Sequence, residues 1–182
     1  PEERMAEFEA LVHRTHRAGL KVIIDFVPNH VSRQYQSTHL PKGKQNLGAT
    51  DNVGHAFNPQ NNFYYIPNEP LHWDGYEERP AKATGNDNVS AWPGQNDWYE
   101  TIKLNYGVDY MGGGAKHFDP IPDTWSKMLD ILLFWAGKGI DGFRCDMAEM
   151  VPVDFWHWAI AKVKAKHPAI IFIAEVYNPD QY

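Results

Sequence analysis

Three short runs rich in apolar and β-branched residues constrain this chain more than any other feature: residues 21–27 (KVIIDFV), 140–146 (IDGFRCD) and 169–176 (AIIFIAEV). The first and third have the composition of strands buried on both faces, and a helical pattern precedes each of the three. Met5, Phe8, Leu11, Val12 and Thr15 recur at helical spacing over residues 2–18, and Gly19 supplies a C-cap. Pro122, Asp123 and Thr124 open a second helix, in which Trp125, Met128, Leu129, Leu132, Leu133 and Trp135 are apolar to about Gly137. A third begins at Pro152 and Asp154, turns Phe155, Trp158, Ile160 and Val163 inward, and ends near His167 and Pro168. Alternating helices and apolar strands predict an α/β fold with a parallel sheet. A full eight-fold barrel takes about 250 residues, so three such units predict a partial (β/α)8 TIM barrel.

The pattern breaks between the first and second runs. Residues 31–119 are rich in Gly, Asn, Gln and Pro, with scattered aromatics that include Phe63, Tyr64, Tyr65, Trp73, Trp92, Trp98 and Tyr106. Structureless loops beyond about 15 residues are rare in compact domains. The reading is therefore an inserted domain over 31–119, with residues 1–30 and 120–182 as parts of the barrel. An aromatic share of 14% suits sugar stacking or a protein interface. A net charge of -6 argues against nucleic acid, and no apolar run reaches the roughly 20 residues of a membrane helix. The lone Cys145 excludes an internal disulfide and says nothing of compartment. A start at Pro1 inside a helical pattern suggests a piece of a longer protein.

Each strand delivers one carboxylate: Asp25, Asp146 and Glu175. Parallel strands set their C-terminal ends side by side, where α/β proteins build their sites. Period-two alternation puts Arg144 and Asp146 on one face. Asp25, inside its run, requires a partner such as an Arg, and Asn29 and His30 follow at the strand's exit. Two carboxylates flanking a scissile bond are the machinery of glycoside hydrolysis, and also occur as metal ligands or structural ion pairs. Arg144 would keep a nucleophile ionised, and burial among Ile171, Ile173 and Tyr177 would keep Glu175 protonated as an acid. His13 and His16 read as two solvated histidines rather than a metal pair.

These residues carry a resemblance. Asp25-Phe-Val-Pro-Asn29-His30, Gly142-Phe-Arg144-Cys-Asp146 and Ala174-Glu175-Val176-Tyr177 resemble, in order, three signatures of the α-amylase family of glycoside hydrolases. The long excursion after the first resembles that family's domain B. The resemblance implies an α-amylase-type glycosidase, a retaining hydrolase of α-glucosidic bonds in starch-like glucans or maltooligosaccharides. Asp146 would be the nucleophile and Glu175 the acid/base; Arg144, His30 and Tyr177 would serve substrate binding. Asp25 would be structural and Asn29 structural or a calcium ligand. No cofactor is implied as required, and Lys103 stands where calcium-binding members carry Asp, which argues against calcium. Residues 147–150 (MAEM) lack the Lys-His pair of starch-cleaving members, so substrate preference would differ. The family's later aromatic-x-x-Asn-His-Asp motif is not found within the sequence, which implies a piece inactive alone. Two alternatives stay open: a glucanotransferase using the same site, or a non-catalytic relative that binds glycans or a protein partner.

Overall fold

The computed structural model describes residues 2–181. In chain order the elements are α1 (Glu2–Arg17), β1 (Ile23–Phe26), β2 (His30–Ser32), β3 (Tyr65–Ile66), β4 (Ala81–Lys82), β5 (Thr101–Lys103), β6 (Val108–Asp109) and β7 (Ala115–Lys116). Helix α2 (Asp123–Ala136), strand β8 (Gly142–Cys145), a 3-10 turn (Ala148–Met150), helix α3 (Val153–Lys166), strand β9 (Ile171–Ala174) and a terminal 3-10 turn (Pro179–Gln181) complete it. No helix among the described residues is long and apolar enough to cross a membrane. Two compact units result: one joins the residues up to Pro28 with those from Met128 onward, and the other is Asn29–Lys127.

The first unit is α/β. Its sheet is parallel, in the order β1-β8-β9, with Asp25 level with Arg144 and Arg144 level with Ile173. Central β8 has a neighbour on each side and is the best-buried strand; Phe143 is fully covered, stacked on Phe172 at 5.6 Å and edge-on to Phe26 at 6.1 Å. Helix α3 buries Phe155, Ala159 and Val163, one face at helical spacing, while Trp158 and Ile160 are only partly covered. Val12 of α1 is buried, and Phe8 meets Trp135 edge-to-face at 5.2 Å.

One expectation fails here. Neither β1 nor β9 is buried on both faces: Ile23, Ile171 and Ile173 are 39%, 41% and 47% exposed. Both strands are edges of a three-stranded sheet that does not close into a barrel, so one face of each lacks a covering layer. His13 and His16 of α1 are both exposed, and His16 Nε2 lies 2.8 Å from Asp141, whose carboxylate also accepts the Val22 N–H at 2.7 Å.

The second unit holds three two-stranded antiparallel ladders, β2 with β5, β3 with β4, and β6 with β7. So little sheet leaves many backbone groups to be satisfied otherwise, and side chains supply the partners. Buried Asn61 bonds both backbone groups of Asn52, and Asn62 accepts the Gly48 N–H at 2.8 Å. Asp51 accepts the N–H groups of Asn62 and Phe63 and the hydroxyl of Tyr65; burial pushes its pKa up despite these donors. A buried Arg33–Glu78 pair at 2.5 Å, with Arg33 also donating to the carbonyls of Tyr99, Lys82 and Thr101, ties distant loops together.

Candidate active site

Three carboxylates of the first unit converge on one guanidinium. Arg144 Nη1 lies 2.7 Å from Asp146 Oδ1 and 3.4 Å from Asp25 Oδ2, while Nη2 lies 2.5 Å from Glu175 Oε1. The ladder causes this. Asp25 and Arg144 are register partners on adjacent strands, and Asp146 sits two residues along the same face. The Asp146 N–H donates to Phe26 O at 2.9 Å and the Glu175 N–H to Cys145 O at 2.9 Å, so both acids leave the sheet at the same end.

Glu175 is ionised in this arrangement. Its pKa is held below the usual carboxylate value, first by the N–H of Met147, which donates to Oε2 at 3.1 Å. Partial desolvation opposes this; the Tyr177 hydroxyl at 3.0 Å, a hydrogen bond shared with Asp146 and the charge of Arg144 reinforce it. The expected burial among Ile171, Ile173 and Tyr177 is absent. Those three are 41%, 47% and 66% exposed, because Ile171 and Ile173 lie on the open face of an edge strand and Tyr177 lies beyond its end. Desolvation is therefore outweighed by donors, and the expectation of a carboxyl kept protonated by burial is overturned. Cys145, on the opposite face of β8, is buried, and burial pushes its thiol up to about 12, so it is inert.

Met147 and the 3-10 turn after it are noted in the sequence only for lacking a Lys-His pair; their contacts with the acid's loop are not foreseen there. Met147 has a left-handed backbone (φ 47°), and its N–H, the Ala148 N–H and the Glu149 carboxylate all engage the exit of β9.

Asn29 and His30 belong to the second unit. Asn29 is fully buried; its Nδ2 donates to Gly85 O at 2.8 Å, and its Oδ1 accepts a hydrogen bond from Lys103 Nζ. Lys103, itself 2% exposed, also pairs with Asp87 at 2.7 Å and lies over the ring of Tyr110. His30 is the register partner of Lys103 and meets the edge of Trp98 at 5.4 Å. Within this unit a cleft of about 530 Å³ lies among Tyr35, Asn46, Phe63, Tyr65 and Lys82, and none of the predicted site residues lines it.

The family described as alpha amylase, catalytic domain, matches residues 4–181. The chain belongs to the alpha-amylase family. An alpha-glucosidase of Apis mellifera is 30% identical over 144 residues, which is 78% of this chain and 22% of that protein. An alpha-1,4-glucan:maltose-1-phosphate maltosyltransferase of Cereibacter sphaeroides is 40% identical over 58 residues, 32% of this chain and 10% of that protein. Among solved structures, an alpha-amylase from Lactobacillus plantarum is 28% identical with a TM-score of 0.57, covering 97% of this chain and 30% of that one. This alpha-amylase-family chain thus spans a third or less of each of these relatives.

Proposed function

We propose that the chain carries the nucleophile and the acid/base of a retaining enzyme acting on α-glucosidic bonds of starch-like glucans or maltooligosaccharides, within a protein of the relatives' length. In this reading residues 1–30 and 120–182 are a slice of a (β/α)8 barrel and residues 31–119 its domain B. The observation that carries it is the single Arg144 guanidinium gathering Asp25, Asp146 and Glu175 at the C-terminal ends of three parallel strands.

Asp146, hydrogen-bonded to Arg144, attacks the anomeric carbon; a Glu175 proton passes to the leaving oxygen as the glycosidic bond breaks. Glu175, now a carboxylate, takes a proton from water as that water cleaves the glycosyl–Asp146 ester, which restores both groups. Because Glu175 is held ionised, it must take up a proton before the first step, so the acid-competent fraction grows as pH falls. Tyr177 shapes the acid by donating to it, and Asp25 anchors the guanidinium; for His30 the family likeness implies a substrate-binding role.

No calcium step enters this scheme. The amide oxygen that Asn29 would offer accepts from the Lys103 ammonium, and the nearby Asp87 carboxylate is paired with the same ammonium. That donor set does not fit a divalent cation, which requires several free oxygens and no adjacent positive charge.

In the full-length protein, Asp146→Asn and Glu175→Gln are each expected to abolish turnover of maltooligosaccharides; activity surviving both changes would refute the assignment. Glucan transfer is the second reading, favoured by the match to a maltosyltransferase. There a sugar hydroxyl, not water, would cleave the glycosyl–Asp146 ester. Oligosaccharides longer than the substrate, seen by chromatography, would mark it.

A further inference from the structure

The three residues after Asp146 are unused by the scheme above, yet all three hold the acid's loop. Met147 N–H donates to Glu175 Oε2 at 3.1 Å, Ala148 N–H to Glu175 O at 3.1 Å, and Glu149 reaches one residue further. Its Oε1 accepts the Tyr177 N–H at 3.1 Å and its Oε2 the Asn178 N–H at 3.0 Å. A carboxylate with both oxygens on consecutive backbone amides fixes the peptide plane between them, and a charged acceptor makes each bond stronger than a neutral one. Without it those amides face solvent, since Tyr177 and Asn178 are exposed and no strand continues there. The Tyr177 side chain leaves from the clamped peptide, and its hydroxyl meets Glu175 Oε1 at 3.0 Å.

We propose that Glu149 is a positioning residue for the acid/base: by clamping the amides of Tyr177 and Asn178 it sets the loop in which Tyr177 donates to Glu175. This deepens the proposed function and rests on it. Other groups facing Glu175 are Arg144 and Asp146 of the β8 strand and its exit; Asp25 of β1 acts only through Arg144. None of these is a hydrogen-bond or ion-pair partner of Glu149, and the Met147 N–H reaches Glu175 from the exit of β8, so removal of Glu149 acts on the acid through the loop that carries the Tyr177 donor.

The sign follows from that donor. The Tyr177 hydroxyl helps hold Glu175 ionised, so losing it makes the carboxyl harder to ionise. Glu175 then stays protonated to higher pH, and the alkaline limb of kcat/KM, which reports the acid in the free enzyme, moves up.

The test uses the full-length protein and maltooligosaccharide hydrolysis. Glu149→Gln, which keeps the shape of the side chain, and Glu149→Ala are compared with Tyr177→Phe and with the double variant Glu149→Gln/Tyr177→Phe. Glu149→Gln is expected to lower kcat/KM roughly ten- to hundredfold, as loosening of a positioned group does. Its alkaline limb should move upward as far as that of Tyr177→Phe, with no further movement in the double variant. An unmoved limb in folded Glu149→Gln, or limb shifts that add in the double variant, would overturn the proposal. If Glu149→Ala does not fold, Glu149→Gln reads the same limb. Failure of the wild-type protein to hydrolyse any α-glucoside is a different result: it removes the proposed function itself, whereas an active wild type with an unmoved limb removes only the role of Glu149.

Discussion

Replacing Lys103 by Met asks whether a buried ammonium holds the second unit together. The stem fits the same space, so the change removes charge and hydrogen bonds with little change of volume. Lost outright is the bond to Asn29 Oδ1, a charged donor to a fully buried amide. Such a bond contributes ~1.5–3 kcal/mol, and the orphaned buried oxygen costs ~1–3 kcal/mol; the two overlap, since they describe one broken contact. Asp87 is 40% exposed and can regain water, so its lost ion pair adds little. Against this stands relief from desolvation, which already lowers the Lys103 pKa. The balance is a loss of about 2–3 kcal/mol. Urea unfolding of the full-length protein, followed by Trp fluorescence, measures it. Lys103→Asp should be destabilised without metal and regain stability in calcium, because the new carboxylate joins Asn29 Oδ1 and Asp87 in an oxygen set that calcium accepts. A Lys103→Met protein within about 0.5 kcal/mol of wild type would refute the reasoning. So would a wild type whose stability falls on chelation.

Two further outcomes follow from the first unit. At Gly142 a Cβ would come within 2.5 Å of Ile171 Cγ1 and 2.7 Å of Ile171 O, and the carbonyl belongs to the paired strand. Gly142→Ala is therefore expected to cost ~1–3 kcal/mol in urea unfolding and to reduce turnover by shifting Glu175 against Asp146; an unchanged midpoint would show that the strands separate freely. Asp141 has its pKa lowered from 3.8: desolvation opposes the shift, but the Val22 N–H, His16 and Lys21 outweigh it. A carboxylate with a depressed folded-state pKa contributes stability that is complete above its unfolded value and is lost as pH falls through the folded one. Asp141→Asn should then flatten the fall in Tm below about pH 4; an identical acid profile would count against this stabilising role of Asp141.

The regular half of this chain was open to sequence reasoning because its signals are periodic. Helix α1 and strand β8 announce themselves by spacing alone, and the expected helix after Pro152 coincides with α3 within a residue or two. The ladders of the second unit carry no such signal. With two or three residues each, they are too short for alternation to emerge, and they depend on partners far along the chain, such as His30 opposite Lys103. Asn61, Asn62 and Asp51 do the work of a sheet there, and nothing in their neighbours' sequence marks them out from ordinary loop residues.

What the sequence alone determined is which chemical groups leave the strand ends: Asp25, Arg144, Asp146 and Glu175, each placed by a period of two along a run that can hardly be anything but a strand. Only the tertiary structure decided their states. Whether Glu175 is protonated or ionised depends on the balance between desolvation and donors, and the donors come from Met147, Tyr177 and Arg144, one of them through a left-handed turn. Likewise Lys103 is visible in sequence as a charge, but its capture of Asn29 and Asp87 exists only once chain segments some seventy and some fifteen residues away fold against it. Pattern along the chain is local and can be read; a pKa or a coordination set is a sum over neighbours in space, and those are supplied by the fold.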